Sequence, residues 1–414
     1  MEKVNIKESI AIVNIGNELL LGRTINTNLS WLGNELASMG LEVSKALIIP
    51  DDSDSIKEVL EHLIPSYSLI IFTGGLGPTK DDISKKVIAE FFGKELIFDE
   101  KIWLKIQDMF AFRKVPVPEI NKNQALVPKD FTILQNDMGT APGLFYHEKN
   151  MMLFAMPGVP IEMKHLFTER IKPILAKACS NKEWFLQTIN TYGISESAIA
   201  ELMEVLTIPD NVHIAWLPQT GRVDIRVYGS EKKACQKAYD EIKALLKPYI
   251  WGENYANVAQ KLHELLITKQ KTIACAESCT GGMIQKLLTD MPGSSAYLQG
   301  GIISYSNEIK ERLLYVPHEI IEQDGAVSES CARAMMDGLK KSFNSDFRVS
   351  VTGIAGPDGG SDLPDEKPVG LVYIGIAYAE IAEIFKMRFL GNRDSIRFKT
   401  AEFVFYQMIK CLEN

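Results

Sequence analysis

The stretch Lys271 to Thr289, KTIACAESCTGGMIQKLLT, constrains the fold more than any other in the chain. An apolar run from Thr272 to Ala276 gives way to the polar residues Glu277, Ser278, Cys279 and Thr280, then to Gly281 and Gly282. Apolar residues at helical spacing follow, at Met283, Leu287 and Leu288. The order is strand, tight turn, helix, the repeating unit of an α/β sheet. Such a turn aims a small hydroxyl out of the sheet and sets backbone N–H groups and the positive end of a helix beside it, which predicts a place for an anion. Ser278 can act there as a nucleophile or simply cap the helix, and residue type alone leaves both open.

The front of the chain has the same grammar. An apolar strand from Ser9 to Ile15 breaks at Gly16 and is followed by GNELLLG. A helix from Asn28 carries Trp31, Leu32 and Leu36, and a strand runs from Val43 to Ile49. Asp51 to Ser55 supplies caps for a helix ending before Pro65, and Ser68 to Phe72 reads as another buried strand. Alternating strands and helices predict a parallel sheet covered on both faces, with ligands at the strand C-terminal ends. At one such end lies TGGLGPTKDD, Thr73 to Asp82, before a helix over Ile83 to Phe92. Gly74, Gly75 and Gly77 allow a ligand close to the backbone, while Pro78 and Thr79 suit a helix start. Asp81 and Asp82 would repel a phosphate unless a divalent cation lay between, so a Mg²⁺-bridged phosphate satisfies both halves of the motif. A plain glycine turn with capping acids is the alternative. The motif is neither a Walker A loop nor a G-x-G-x-x-G fingerprint. GTAPG (Gly139 to Gly143) and MPGVPIEM (Met156 to Met163) read as further turns on that rim, or as structural turns.

From Trp184 to Gly252 strands and helices predict a small α+β module. Its interior glycines are Gly193, Gly221 and Gly229, so it lacks the G-x-x-G loop of a nucleic-acid-binding KH module and reads as a spacer. Gly252 to Tyr255 is the expected hinge into the last domain. There a helix over Ala256 to Thr268, the stretch described above, a strand Tyr297 to Tyr305 leading into YSNEIK, and GAVSE before an alanine-rich helix follow in turn. A strand Arg348 to Thr352 then ends in TGIAGPDGG, a strand spans Val369 to Ala377, and GNRDSIR opens the terminal helix. The polar strand ends are expected to meet at one sheet edge.

A chain of 414 residues exceeds one ordinary core, and its net charge of −8 argues against broad phosphate-backbone binding. No signal sequence and no run of about 20 apolar residues is present, so the protein is expected in the cytoplasm. Six cysteines without C-x-x-C spacing and six histidines without H-x-x-x-H spacing point to neither a zinc site nor a disulfide scaffold.

On AESCTGG (Ala276 to Gly282) and TGGLGPTKDD, with motifs in both halves in one order, the chain resembles the CinA family of competence/damage-inducible proteins. The resemblance implies an α/β fold of two α/β domains joined by a small KH-like α+β module. Residues 1–176 would be molybdopterin-binding-like with ADP-ribose pyrophosphatase activity, 177–252 the connector, and 253–414 a nicotinamide-nucleotide amidase. In the first domain it implies nucleotide contacts from Asn28, Thr73, Gly74, Gly75, Gly77, Thr79, Gly139 and Thr140, and a divalent cation on Glu18, Asp81 and Asp82. In the last it implies Ser278 as nucleophile and Lys310 as general base, with no cofactor. Glu277, Thr280, Gly281, Gly282, Tyr305, Thr352, Gly353, Arg393 and Arg397 would surround the substrate.

A carboxamide needs an activated nucleophile, donors for the oxyanion and an acid for departing ammonia, and a Ser-Lys pair can supply two of these. Cys279 as thiol nucleophile and Glu277 as carboxylate base remain open rivals. Nicotinamide mononucleotide and ADP-ribose are the implied small-molecule partners, and a homodimer the implied assembly. A nucleotide- or molybdopterin-binding competence protein with one working site or none is the alternative. The acidic stretch Ser361 to Lys367 is longer than the family's usual turn and is expected to affect substrate entry.

Overall fold

The computed structural model describes residues 9–178, 184–360 and 367–413. They form two compact units. One runs to Leu186 and includes Gly229–Lys232; the other holds Gln187–Tyr228 and the chain from Lys233 onward.

The first unit is built on a six-stranded sheet in the order Lys45–Ile49, Ile10–Ile15, Leu69–Thr73, Met151–Met156, Gly143–Glu148, Thr132–Leu134. The three central strands, Ile10–Ile15, Leu69–Thr73 and Met151–Met156, are buried along their whole length, as continuous apolar runs covered on both faces must be. Alternate residues divide between two cores. Ile10, Ile12, Ile71 and Phe154 pack with Leu32 and Leu36 of the helix Thr27–Ser38, while Val13, Phe72 and Leu153 pack with Ile56 and Leu60 of Ser53–Leu63. The predicted all-parallel sheet is corrected here: the first four strands are parallel and the last two antiparallel. The reason is local. Only two residues, Lys149 and Asn150, join Gly143–Glu148 to Met151–Met156, with Lys149 at φ 51°, and so short a link permits only a hairpin.

The connector is a four-stranded sheet (His213–Gln219, Arg222–Gly229, Phe185–Thr191, Ile250–Glu253) with helices Glu196–Met203 and Lys232–Leu246, all but a few terminal residues of these elements belonging to the second unit. The stretch expected to be a hinge is pinned. Thr188 N donates to Asn254 Oδ1 at 2.8 Å, and Asn190 exchanges two bonds with Tyr255, both 3.0 Å. A buried cluster adds to this attachment: the Arg222 guanidinium pairs with Glu402 of the last helix, Arg393–Glu413, and lies 3.4 Å from Asp224, while the Tyr192 and Tyr406 rings approach to 4.4 Å.

The last sheet runs Leu298–Ile303, Ile273–Glu277, Phe347–Gly353, Leu371–Tyr378, Ile381–Arg388. Its first three strands are parallel and its last two antiparallel, the final pair joined through Ala379 and Glu380 with Ala379 at φ 50°. The parallel strands place their C-terminal ends together at Glu277, Ile303 and Gly353, the rim where the sequence expects chemistry. Among the described residues no helix is long and apolar enough to cross a membrane.

Candidate functional site

At the rim of the last sheet, Lys310 reaches Ser278. Lys310 sits on the helix Asn307–Leu314, which is capped by the Ser306 hydroxyl accepting from Ile309 N at 3.3 Å. This helix is held tightly against Glu329–Ser342 because Gly338 has no side chain: a Cβ there would fall 1.9 Å from the Leu314 carbonyl oxygen. The Lys310 side chain is only 2 % exposed, and its Nζ lies 3.1 Å from Ser278 Oγ, 2.8 Å from Ser304 O and 3.5 Å from Tyr305 O. Burial holds its pKa below the ordinary lysine range. Nζ donates to the two carbonyls and to Ser278 Oγ; once deprotonated, the amine would keep its two N–H groups for the carbonyls and turn its lone pair to the serine hydroxyl.

The rivals to this pair have other work. Glu277 is fully buried, and its carboxylate accepts from Gly282 N (2.9 Å), Ile284 N (3.2 Å), Gln285 N (3.0 Å) and Gln285 Nε2 (3.2 Å). The start of the helix Met283–Thr289 thus already holds an anion, the chain's own. The N–H groups expected to face a ligand are thus engaged by the Glu277 side chain. Cys279 is 6 % exposed in the apolar core, where burial pushes its thiol up to about 12, so it is not a ready thiolate.

Gly281 and Gly282 take left-handed φ of 59° and 90°, which lets the chain fold Glu277 back onto the helix start. Thr280 is fully buried and offers its carbonyl to Arg397, whose Nη2 and Nε donate at 2.8 and 3.2 Å. The Thr352 hydroxyl donates to Ala326 O at 2.6 Å, and a side chain at Gly353 would strike Leu371 O at 2.7 Å. These residues shape the rim from inside. Tyr305 and Arg393 are exposed: Arg393 donates to the Tyr305 hydroxyl at 2.8 Å and to Gly356 O at 2.6 Å. Residues 361–366 of the acidic stretch lie outside the described residues, whereas Lys367 donates to Asp324 O and Val327 O at 2.7 and 2.6 Å.

The first unit has a cleft of about 640 Å³ at the ends of its parallel strands, lined by Gly16, Glu18, Gly74 to Pro78, Asp81, Asp82 and Thr140. Gly74, at φ 106°, lies so close to Ile15 that a Cβ would stand 2.2 Å from its carbonyl oxygen. Thr73 and Asn28 stand deeper. The Thr73 hydroxyl accepts from Asn14 Nδ2 at 2.5 Å, and Asn28 Nδ2 donates to Gly158 O at 2.7 Å, leaving its buried Oδ1 without a partner. Asp82 is committed to the turn, accepting from Thr79 N at 2.9 Å and Thr79 Oγ1 at 2.5 Å. Gly139 lies beneath the Glu162 carboxylate, which accepts from Asn136 Nδ2 at 2.7 Å. Among the described residues no three His, Cys, Asp or Glu side chains gather as a metal-ligand set, so Glu18, Asp81 and Asp82 do not form a cage by themselves.

Sequence reasoning missed several groups. The sequence places Asp51 only among the caps of a helix; Asp52 makes that cap, while Asp51 faces the cleft, accepts from Asn17 N at 2.8 Å, and has its pKa raised by burial and by Glu18, Asp82 and Asp81. Glu162 also lines the cleft with a pKa raised by burial, and its only signal was its place in MPGVPIEM. Lys85 is 5 % exposed at the base of the same loop, with burial lowering its pKa to about 8.

Residues 255–412 match the family described as CinA C-terminal domain, 11–177 that of the probable molybdopterin binding domain, and 187–252 that of the damage-inducible protein CinA KH domain. A protein of Caldicellulosiruptor bescii named for competence-damage induction is 38 % identical over 398 residues, spanning 94 % of this chain and 96 % of its own. A CinA-like protein of Dictyoglomus thermophilum is 37 % identical over 396 residues, spanning 94 % and 95 %. A solved structure titled as the protein CinA with unknown function from Thermoplasma acidophilum is 31 % identical, covering 40 % of this chain and 98 % of that one at a TM-score of 0.38. With relatives matched from end to end at this identity and all three domain families in order, the chain belongs to the CinA family of competence/damage-inducible proteins.

Proposed function

We propose that the protein is a hydrolase of pyridine nucleotides that converts nicotinamide mononucleotide to nicotinate mononucleotide and ammonia at Ser278 and Lys310. The observation that carries this reading is the buried Lys310 Nζ at 3.1 Å from Ser278 Oγ, with burial favouring the neutral amine. Ser278 Oγ attacks the carboxamide carbon while Lys310 takes its proton. The oxyanion accepts from a backbone N–H group of the turn, for which Thr280 remains once the N–H groups of Ser278, Gly281, Gly282 and Met283 have found acceptors and that of Cys279 faces its own sulfur. Lys310 then gives its proton to the nitrogen as the C–N bond breaks and ammonia leaves. Water attacks the acyl-serine ester with Lys310 again as base, releasing the carboxylate and restoring the serine. Arg393 and Tyr305, exposed beside this pair, would hold the phosphate.

For the first unit the same reading assigns cleavage of ADP-ribose. The repulsion that Glu18, Asp82 and Asp81 exert on Asp51 is what a cation would relieve; since no three of these carboxylates gather as a ligand set among the described residues, the substrate's phosphate oxygens would have to supply most of its ligands, with Glu18 or Asp81 beside them. When bound, such an ion supplies charge neutralisation for the pyrophosphate. The glycine turn brings the backbone close, and Asp82 keeps that turn in shape.

The test is ammonia release from nicotinamide mononucleotide by the whole chain and by Ser278→Ala. Turnover in the wild type that falls at least a hundredfold in Ser278→Ala supports the reading. No ammonia from the wild type, or an unchanged rate in the variant, overturns it in favour of a nucleotide-binding protein without this chemistry.

A further inference from the structure

The turn between the helices His318–Gln323 and Glu329–Ser342 stands beside the Ser278–Lys310 pair, and the strand register sets it there. Glu277 pairs with Val351 and Ser278 N donates to Val351 O at 2.9 Å. Thr352 at the strand end therefore lies level with the serine, about one strand spacing of ~4.8 Å away. The Thr352 hydroxyl donates to Ala326 O in the turn at 2.6 Å. A second link comes from the helix that follows, where Lys310 and Lys367 both act electrostatically on the Cys331 thiol in the first turn.

Each carbonyl of the turn, residues 324–327, accepts from a side chain. Lys367 Nζ donates to Asp324 O at 2.7 Å and Val327 O at 2.6 Å, the Ser328 hydroxyl to Gly325 O at 2.7 Å, and Thr352 to Ala326 O. A four-residue turn is often closed by its fourth N–H donating to its first carbonyl. Among the described residues no such bond runs from Val327 N to Asp324 O, and Lys367 bridges the first and fourth carbonyls instead. Gly325, at φ 82°, makes room for it: a Cβ there would stand 3.0 Å from Nζ. The helix Glu329–Ser342 has anchors of its own. Ser328 caps it, accepting from Cys331 N at 3.2 Å, the Ser350 hydroxyl donates to Ala332 O at 2.7 Å, and Met335 and Leu339 are fully buried. Loss of Lys367 would release the turn and leave the helix docked. A carboxamide attacked by Ser278 brings its ring next to the serine, and the half-buried Ala326 and Val327 offer the apolar wall such a ring needs. We propose that Lys367 is a positioning residue of the amidase site, holding this turn against Thr352 so that it forms one wall of the pocket for the substrate's pyridine ring. The proposal rests on the amidase reading of Ser278 and Lys310.

Ammonia release from nicotinamide mononucleotide by the whole chain tests this, with KM and kcat read separately. Lys367→Met keeps the stem and removes the donors, while Gly325→Ala sets a methyl group against Nζ from the turn itself. Each should raise KM about tenfold or more and leave kcat within about threefold of wild type, because the turn takes no part in the bond changes. The double variant should be no worse than the more impaired single one, since both break the same contact. Lys367→Arg, whose fork presents two N–H groups to the two carbonyls, should return KM to within about threefold of wild type. An unchanged KM in Lys367→Met, a fall in kcat at unchanged KM, losses that multiply in the double variant, or a Lys367→Arg no better than Lys367→Met rejects the positioning role while the amidase reading stands. An unchanged KM in Gly325→Ala rejects it even where Lys367→Met fails to fold. A wild type that releases no ammonia overturns the amidase reading and the proposal with it.

Discussion

Replacing Glu277 by glutamine separates a structural carboxylate from a catalytic one. The side chain takes four N–H donors in a site closed to water, two on each oxygen. A glutamine keeps the shape. Its oxygen can keep the two bonds from Gln285, but its NH₂ then meets the N–H groups of Gly282 and Ile284, donor against donor. Two buried donors left unmet cost about 1–3 kcal/mol each, and the lost charge at the helix start about 0.5–1 kcal/mol more. Relief from burying a carboxylate offsets part of this, since each buried ion carries a desolvation penalty of several kcal/mol. The net expectation is a loss of about 2–4 kcal/mol. Urea unfolding followed by the emission of Trp251, buried in the core of the second unit, reads it as a lower midpoint at unchanged slope. Turnover per folded molecule should stay within about tenfold of wild type, because the carboxylate touches no reacting atom in this reading. Stability within about 1 kcal/mol of wild type together with abolished turnover would refute the capping argument and make Glu277 the base.

Three further perturbations test other parts. Ser278→Ala, Lys310→Met and the double variant should fall to similar residual rates, roughly 10²–10⁴-fold down, while Cys279→Ala keeps most activity; additive losses would show that the pair does not act as one unit. Glu402, with its pKa raised to about 7 from 4.5 by burial beside an arginine it shares with Asp224, holds a proton more tightly when folded. Its stabilising contribution is therefore complete below about pH 4.5 and lost as pH rises through about 7, roughly 3 kcal/mol in all. The stability difference between wild type and Glu402→Gln, measured from pH 5 to 8, should follow that slope, and a flat difference would count against it. ADP-ribose hydrolysis should need a divalent cation and weaken in Asp81→Asn; full activity in chelator would remove the cation from the account.

Local order along the chain was legible because it is written in short-range periodicity. The run Ile273–Glu277 with Gly281 and Gly282 behind it could form little but a strand and a turn, and TGGLGPTKDD announced a loop at a strand end for the same reason. Ser278 and Lys310 were singled out on resemblance, and the sequence left Cys279 and Glu277 in contention beside them. What separates these residues is burial and partners. Glu277 is closed in by the N–H groups of residues five to eight positions on, and Cys279 by the apolar core, whereas Lys310 crosses from another helix to the serine. Strand direction was equally hidden, since the antiparallel turns at Lys149 and Ala379 depend on two-residue links and not on any apolar pattern. Asp51 in the cleft and the Arg222–Glu402 pair arise between segments 34 and 180 residues apart, respectively. Sequence composition carries no term for such distances, so only the packed chain decides which carboxylates cap, which pair and which face a ligand.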